Sequence, residues 1–180
     1  YHILSLINSG AFGSVYKAEH LHLRGRITAM KFLHASMAPT EQVQFVQEAQ
    51  FLSTLEHRYI LPVIDFGFER GLPYLVAKYA SGGSLRDRLL HQVLLPTEQV
   101  LTILSHVGQA LQYAHTFDVI HRDLKPENIL FNAQGEALLA DFGIATLLSS
   151  ASVKQSAVIG TPSYMAPEQF GGGFEPVRPA

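Results

Sequence analysis

The sequence predicts an α+β protein with two lobes, the first rich in strands and the second mainly helical. Short β-branched or aromatic segments, separated by glycine-containing turns, fill the first third of the chain. Helical periodicity dominates the middle of the chain. Ser81-Gly82-Gly83 breaks the chain between the strand-rich region and this helical region. Strands followed by helices are typical of α+β folds, in which the two kinds of element segregate.

The predicted elements follow from local patterns. Residues 3–7, 14–20 and 27–33 read as strands, and two further strands are predicted at 63–66 and 74–78. Between them, Pro39-Thr40-Glu41 predicts a helix start with Thr40 as the N-cap.

The second region begins with a clearer helix signal, because Thr97 follows Pro96 and precedes Glu98. The apolar stripe expected to be buried along this helix consists of Val100, Leu104, Val107, Leu111 and Ala114. A short strand pair is predicted at 129–131 and 137–140, and the Gly/Pro-rich tail 169–180 is predicted to be disordered.

Composition limits the class of protein. The 180 residues suffice for one domain or two small lobes. A net charge of −2 gives no general reason to expect nucleic acid or an anionic membrane as a partner. The absence of cysteine excludes disulfides and thiolate metal sites, and the nine histidines form no ligand set. Since no run of about 18 apolar residues occurs, no membrane span is predicted and a cytoplasmic location is expected.

The most informative run is His-Arg-Asp-Leu-Lys-Pro-Glu-Asn at 121–128, followed downstream by Asp141-Phe142-Gly143. Phosphoryl transfer from a metal-bound nucleotide needs a carboxylate near the acceptor hydroxyl and oxygen ligands for Mg²⁺. Asp123, Asn128 and Asp141 are residues of the types that these tasks require. The two runs resemble the catalytic loop and the metal-binding triplet of the protein kinases.

Further motifs extend this resemblance over residues 1–168. The run from Gly160-Thr161-Pro162 to Ala166-Pro167-Glu168 is similar to the end of the kinase activation segment. The chain looks most like the eukaryotic-like Ser/Thr kinases of bacteria. The resemblance implies a β-rich N-lobe with the hinge at 1–80, and a partial, mainly helical C-lobe at 81–168 that contains the catalytic loop and activation segment.

The resemblance also implies roles in catalysis. Asp123 is the expected catalytic base, and Asn128 and Asp141 are the expected Mg²⁺ ligands. Lys125 is expected to steady the transferred phosphate of ATP, and its presence favours a Ser or Thr acceptor. Thr161 is expected to form a hydrogen bond near the base.

Two more catalytic residues are expected in the N-lobe. Lys31 ends a strand, Thr28-Ala29-Met30-Lys31, that is similar to the kinase strand whose lysine binds the ATP phosphates. Glu48 is the best match for the glutamate that orients this lysine. Taken alone, Lys31 is better explained as a lysine that extends to solvent, and Glu48 could belong to a solvated helix face.

The expected ATP site begins at Asn8 to Val15, which resembles the kinase glycine-rich loop, with Asn8 in place of its first glycine. Gly10 and Gly13 let backbone N–H groups approach phosphate oxygens, although an ordinary β-hairpin is the alternative. Ala77 is expected at the gatekeeper position. Lys78 and Ala80 are expected in the hinge, and Ser84 is expected near the ribose of ATP. The residues expected to enclose the adenine ring, or simply to pack in a core, are Val15, Ala29 and Leu130.

The expected function is ATP-dependent transfer of the γ-phosphate to Ser/Thr hydroxyls of protein substrates, with dimerisation for autophosphorylation. Arg122 suggests activation by phosphorylation, for which the candidate serines are Ser149, Ser150, Ser152 and Ser156. Only twelve residues follow Glu168, so we expect a truncated chain with apolar surface exposed on the helix at 97–117. The alternatives are a nucleotide-binding regulatory module, an inactive kinase fragment without turnover, and a remnant that does not fold.

Overall fold

The computed structural model describes residues 1–10, 13–34, 37–91, 94–142 and 161–170. These residues divide into two units. The first consists of Tyr1–Leu55 and Pro62–Tyr79, and the second contains Glu56–Leu61 and the described residues from Ala80 onward. The division after Tyr79 lies one residue before the Ser81-Gly82-Gly83 break in the sequence pattern.

The described part of the first unit contains a five-stranded antiparallel sheet in the order β1-β2-β3-β5-β4. Its strands are β1 (His2–Gly10), β2 (Gly13–Glu19), β3 (Ile27–Leu33), β4 (Val63–Glu69) and β5 (Leu72–Lys78). The five predicted strands are therefore present, with bounds that differ by a few residues. The edge strand β1 is exposed along its whole length, and its pairing with β2 is irregular at two places.

The two faces of this sheet have different partners. On one face, Ala18, Met30 and Val76 form a buried cluster. The other face packs against helix α1 (Pro39–Ser53), whose Phe45 ring lies 6.4 Å from the ring of Phe66 and 5.2 Å from that of Phe68. This alternation arises because successive side chains of a strand point to opposite faces.

Helix α1 begins earlier than the sequence pattern predicts. Ala38 is the N-cap and Pro39 the first helical residue, so the prediction of Thr40 as N-cap is wrong. Proline suits the first helical position because its φ is fixed near the helical value and its missing N–H would be unpaired there anyway. The Ala38 N–H donates to Glu41 Oε2 at 2.6 Å, so the acid of the first turn closes the cap.

The described part of the second unit is mainly helical. It contains α2 (Leu85–His91), α3 (Thr97–His115), the antiparallel pair β6 (Ile129–Phe131) and β7 (Ala137–Leu139), and the short helix α4 (Pro167–Phe170). Helix α4 includes the first two residues of the predicted disordered tail, and residues 171–180 lie outside the described ranges. Among the described helices, none has the length and apolar character that crossing a bilayer requires.

Helix α2 was not predicted, although its start has a recognisable signal. Ser84 Oγ accepts from the Asp87 N–H at 3.1 Å, and Asp87 Oδ2 accepts from the Ser84 N–H at 2.9 Å. This reciprocal pattern is the capping box of a helix N-terminus. The bonds from Ser84, its backbone N–H first, lower the pKa of the Asp87 carboxyl.

The buried stripe of α3 also differs from the prediction. Its buried residues are Ile103, Val107, Ala110 and Ala114. Val100 and Leu104 are instead 37% and 61% exposed, and Leu111 is only partly buried. The buried face therefore shares Val107 and Ala114 with the predicted stripe but is rotated toward Ile103 and Ala110. The predicted apolar exposure on this helix is present at Leu101 and Leu104.

Gly82 makes a close backbone contact that only glycine fits. Its N–H donates to the Phe131 carbonyl at 2.8 Å, and an added Cβ would lie 2.8 Å from Phe131 Cβ and 2.9 Å from the Asn132 carbonyl oxygen. We therefore expect Gly82→Ala to lower the free energy of unfolding by about 1–3 kcal/mol, because packed groups must shift.

Urea denaturation measures this effect, and Gly108→Ala is the matched control. A Cβ at Gly108, on the exposed side of α3, meets no atom within 4 Å. That substitution should raise stability by about 0.5–1 kcal/mol, since alanine favours the helix. Equal effects of the two substitutions would contradict the contact at Gly82.

Candidate active site

The buried ring of His121 connects the segments that contain Asp123 and Asp141. Its Nε2 donates to the Ala140 carbonyl at 2.8 Å, and its Nδ1 accepts from the Asp123 N–H at 3.3 Å. The ring also packs edge-on against Phe142, with centroids 4.8 Å apart. Because one ring nitrogen donates and the other accepts, this arrangement requires the neutral imidazole.

The Asp123 carboxylate is held by the side chains of Lys125, Thr161 and Asn128. Its Oδ1 accepts from the Thr161 hydroxyl at 2.9 Å, and its Oδ2 lies 2.6 Å from Lys125 Nζ. Lys125 Nζ also donates to Thr161 Oγ1 at 2.9 Å, which closes a three-membered network. Charge-assisted contacts of this kind fix the orientation of a carboxylate.

Asn128 is buried beside Asp123 at the end of a 3₁₀ turn, Pro126–Asn128. Its Nδ2 donates to the Asp123 carbonyl at 2.8 Å and lies 3.3 Å from Asp123 Oδ2. The amide orientation leaves Oδ1 as the atom of Asn128 that could bind a metal. The Ala140 N–H donates to the Asn128 carbonyl at 2.8 Å. Ala140, which directly precedes Asp141, is therefore hydrogen-bonded to both Asn128 and His121.

Two residues of this site have positive φ, Arg122 at 63° and Asp141 at 64°. Such conformations cost free energy in residues other than glycine and tend to cluster at functional sites. Arg122 directly precedes the predicted base, and Asp141 is itself a predicted metal ligand. The predicted phosphosites and the neighbouring Gly143 and Gly160 lie outside the described residues.

The ATP-site residues predicted in the first unit share one face of its sheet. In the register, Val15 pairs with Lys31, and Ala29 pairs with Ala77. Directly paired residues of an antiparallel sheet project to the same side, as do alternate residues of one strand. Lys78 lies at the end of β5, where its N–H donates to the Pro62 carbonyl at 3.0 Å.

Glycine is required at the start of β2. Gly10 and Gly13 pair directly at the end of the β1–β2 hairpin, whose residues 11 and 12 lie outside the described ranges. A Cβ at Gly13 would overlap the Phe32 carbonyl, whereas one at Gly10 would meet nothing within 4 Å. The close approach of β2 to β3 therefore explains why residue 13 is a glycine.

Helix α1 packs against the sheet face that contains Lys31. Phe66 pairs with Leu75, which pairs with Lys31, so the rings that contact Phe45 belong to that face. Glu48 follows Phe45 by three residues and therefore lies on the same side of the helix. The specific pairing of Lys31 with Glu48 stays a prediction.

The remaining predicted ATP-site residues lie in the second unit. Ser84 and Leu130 form an isolated β-bridge, and Ala80 is partly buried two residues before Gly82. Ser84 also caps α2, a role that the sequence analysis did not assign to it. The described residues contain no cluster of three or more His, Cys, Asp or Glu side chains that could hold a metal, so a metal here would depend on mixed ligands such as Asn128 and Asp141.

Comparison with known proteins is consistent with this geometry. A family model described as the protein kinase domain matches residues 1–174. This chain belongs to the protein kinase family. The resemblance to bacterial Ser/Thr kinases is confirmed by two relatives: the serine/threonine-protein kinase PrkC of Bacillus subtilis is 36% identical over 97% of the chain, and PknB of Mycobacterium leprae is 37% identical over 96%.

Solved structures confirm the predicted kinase-like α+β fold. A mutant of the PknI kinase domain of Mycobacterium tuberculosis matches with a TM-score of 0.69 at 29% identity, covering 84% of this chain and 65% of that one. The kinase-family chain spans 27% of the length of PrkC and 29% of that of PknB.

The stability of this kinase-family chain should fall in mild acid because of His121. Burial lowers the pKa of this histidine and outweighs the Ala140 carbonyl and the nearby carboxylates, which favour the charged form. The unfolded chain, with a histidine pKa near 6.5, binds a proton that the folded chain does not. The free energy of unfolding should therefore be maintained above about pH 6.5 and decrease below it, by up to about 1.4 kcal/mol per pH unit.

Urea denaturation between pH 7.5 and 5.5 measures this slope. Burial also lowers the pKa of His106, which accepts from the Ala137 N–H at 3.2 Å, so its contribution must be separated. His121→Gln and His106→Gln should each flatten the slope. A slope unchanged by His121→Gln would contradict the prediction.

Proposed function

We propose that this kinase-family chain transfers the γ-phosphate of ATP to Ser or Thr hydroxyls of protein substrates. The observation that supports this proposal most directly is the network of Asp123, Lys125 and Thr161. It presents a carboxylate to an acceptor hydroxyl and an ammonium to the transferred group within one set of contacts. Such positioning and preorganised charge contribute most of the catalysis in phosphoryl transfer.

Asp123 would orient the acceptor hydroxyl and receive its proton at a carboxylate oxygen. Lys125 would offset negative charge on the transferred phosphate, and its contact with Thr161 keeps the ammonium next to the base. The contacts with Lys125 and Thr161 fix the orientation of the Asp123 carboxylate, and a preorganised charge needs little reorganisation at the moment of reaction.

Asn128 and Asp141 fit Mg²⁺ in their chemistry. Mg²⁺ prefers oxygen ligands, and the contact of Asn128 Nδ2 with Asp123 leaves the amide oxygen for the metal. When bound, Mg²⁺ would neutralise negative charge on the phosphate oxygens. The hydrogen bond from Ala140 to Asn128 would keep the two ligand residues in a fixed relation.

The first unit would bind the nucleotide through one sheet face. Lys31 would contact the phosphates with Glu48 as its orienting partner, and Val15, Ala29 and Ala77 would contact the adenine. Their shared face supports this assignment. Lys78 in the first unit is a further proposed nucleotide contact, and Gly10 and Gly13 are proposed to lie near the phosphates. In the second unit, the proposed nucleotide contacts are Ala80, Ser84 and Leu130.

The partners proposed are cytoplasmic proteins with Ser or Thr acceptors, together with a second copy of the chain for autophosphorylation. The net charge of −2 supports protein rather than nucleic-acid partners.

Two measurements on the purified chain test this proposal: the thermal shift on adding Mg²⁺ and ATP, and phosphate transfer to a generic protein substrate. Transfer that requires both Asp123 and Asp141 is the expected result. A thermal shift without transfer would instead identify a nucleotide-binding module, and the absence of cooperative melting would identify a remnant.

A further inference from the structure

Gln169 bridges helix α4 and the catalytic loop. Its Oε1 accepts from the Ala166 N–H at 3.1 Å, while its own N–H donates to the Ala166 carbonyl at 2.9 Å. This reciprocal pair caps the helix, as a glutamine at the third helical position can do. The same carboxamide uses its Nε2 to donate to the Arg122 carbonyl at 3.0 Å.

The bond to Arg122 acts on the peptide group that precedes the predicted base. The Arg122 carbonyl and the Asp123 N–H belong to one planar peptide unit. Gln169 holds the carbonyl end of this unit, and the buried His121 ring holds its N–H end. Two restraints on opposite edges of one plane fix its orientation, and therefore fix the Cα of Asp123.

The restraint matters because the backbone here is not in its preferred conformation. Arg122 has a φ of 63°, and such a residue relaxes unless its surroundings hold it. From this geometry we infer that Gln169 is a positioning residue for Asp123, which couples the end of the activation segment to the catalytic base. The inference rests on the proposed function, in which Asp123 acts on the acceptor hydroxyl.

The two contacts of Gln169 require a side chain that both donates and accepts, as a primary amide does. A carboxylate at this position accepts from Ala166 but cannot donate to Arg122, and an ammonium donates but cannot accept. Gln169→Glu therefore removes the restraint on the loop and retains the helix cap. Gln169→Lys removes the cap and retains a donor near the Arg122 carbonyl.

The test compares kcat, KM for ATP and melting temperature in the two variants, with Gln112→Glu on the exposed side of α3 as the control. Gln169→Glu should lower kcat about 10- to 100-fold, since small misplacements of a catalytic group cost that much. Its KM for ATP should stay within about twofold of the parent value. Gln169→Lys should retain more of kcat, and Gln112→Glu should change neither constant.

Two results would overturn the inference: an unchanged kcat in Gln169→Glu, or equal losses of kcat, ATP binding and melting temperature, which would indicate a general structural role. Hydrogen exchange at the Asp123 amide gives a readout independent of turnover, and it should be faster in Gln169→Glu. If the parent chain transfers no phosphate, the proposed function fails, and an Asp123 amide that exchanges equally in both proteins then overturns the positioning role as well.

Discussion

Replacing Asp123 by Asn is expected to lower the rate of phosphoryl transfer by about 10²- to 10⁴-fold, the usual contribution of a positioned acid or base. The substitution removes the charge that Lys125 faces at 2.6 Å. Because an ammonium cannot accept a hydrogen bond, the new amide must turn its oxygen toward Lys125 and its NH₂ toward Thr161. No group would then remain to receive the proton of the acceptor.

ATP affinity should stay within about twofold in this variant, since the proposed nucleotide contacts do not involve Asp123. Single-turnover transfer and the ATP-induced thermal shift measure the two quantities separately. Asp118→Asn is the matched control, because Asp118 is an exposed aspartate of the same unit with a φ of 58°. A transfer rate in Asp123→Asn equal to that of this control would contradict the role of the base.

Replacing Asp141 by Asn is expected to remove the Mg²⁺-dependent part of ATP binding and to slow transfer by about 100-fold or more. Asn is the informative choice because Asp141 has a φ of 64°, which Asn tolerates better than Ala does. The substitution therefore tests the loss of a carboxylate ligand with little added backbone strain.

The measurement is the ATP-induced thermal shift with Mg²⁺ and with a chelator. In the parent chain the two shifts should differ, and in Asp141→Asn they should become equal. Asp118→Asn, which places the same change at a similar φ, should behave as the parent chain. A Mg²⁺-dependent shift that survives in Asp141→Asn would contradict the assignment of this ligand.

The strands could be predicted because β-branched and aromatic runs between glycines are a local signal, and β3 has the predicted bounds of 27–33. The orientation of α3 could be predicted only in part. Val107 and Ala114 are buried as predicted, but Ile103 and Ala110 are buried beside them in place of Val100 and Leu104. Helix propensity and period do not indicate which stripe the rest of the unit will cover. Helix α2 was missed although Ser84 and Asp87 have the spacing of a capping box.

The residues of the candidate site were predicted by resemblance, and their roles stay predictions. Among the contacts between them, the resemblance predicts the hydrogen bond of Thr161 near the base, and the Thr161 hydroxyl does donate to Asp123. It predicts neither the contact of Lys125 with Thr161 nor the bond from Gln169 to Arg122. The closure of Asp123, Lys125 and Thr161 joins residues 38 positions apart, and the bond from Gln169 to Arg122 spans 47 positions. No periodic pattern links such positions, because the contacts depend on how the chain returns to the catalytic loop.

The exposed edge strand β1 has a consequence for handling the protein. Ile3, Leu6 and Ile7 are all more than 40% exposed on a strand whose outer hydrogen-bonding groups face away from the sheet. Exposed apolar edges can recruit strands from other molecules and start aggregation, above all where they are flat. The two pairing irregularities, after Ile3 and after Leu6, twist the edge and interrupt the row that an incoming strand would need. Substitutions that straighten this strand would therefore make the chain less soluble at high concentration, even where its fold and active site were unchanged.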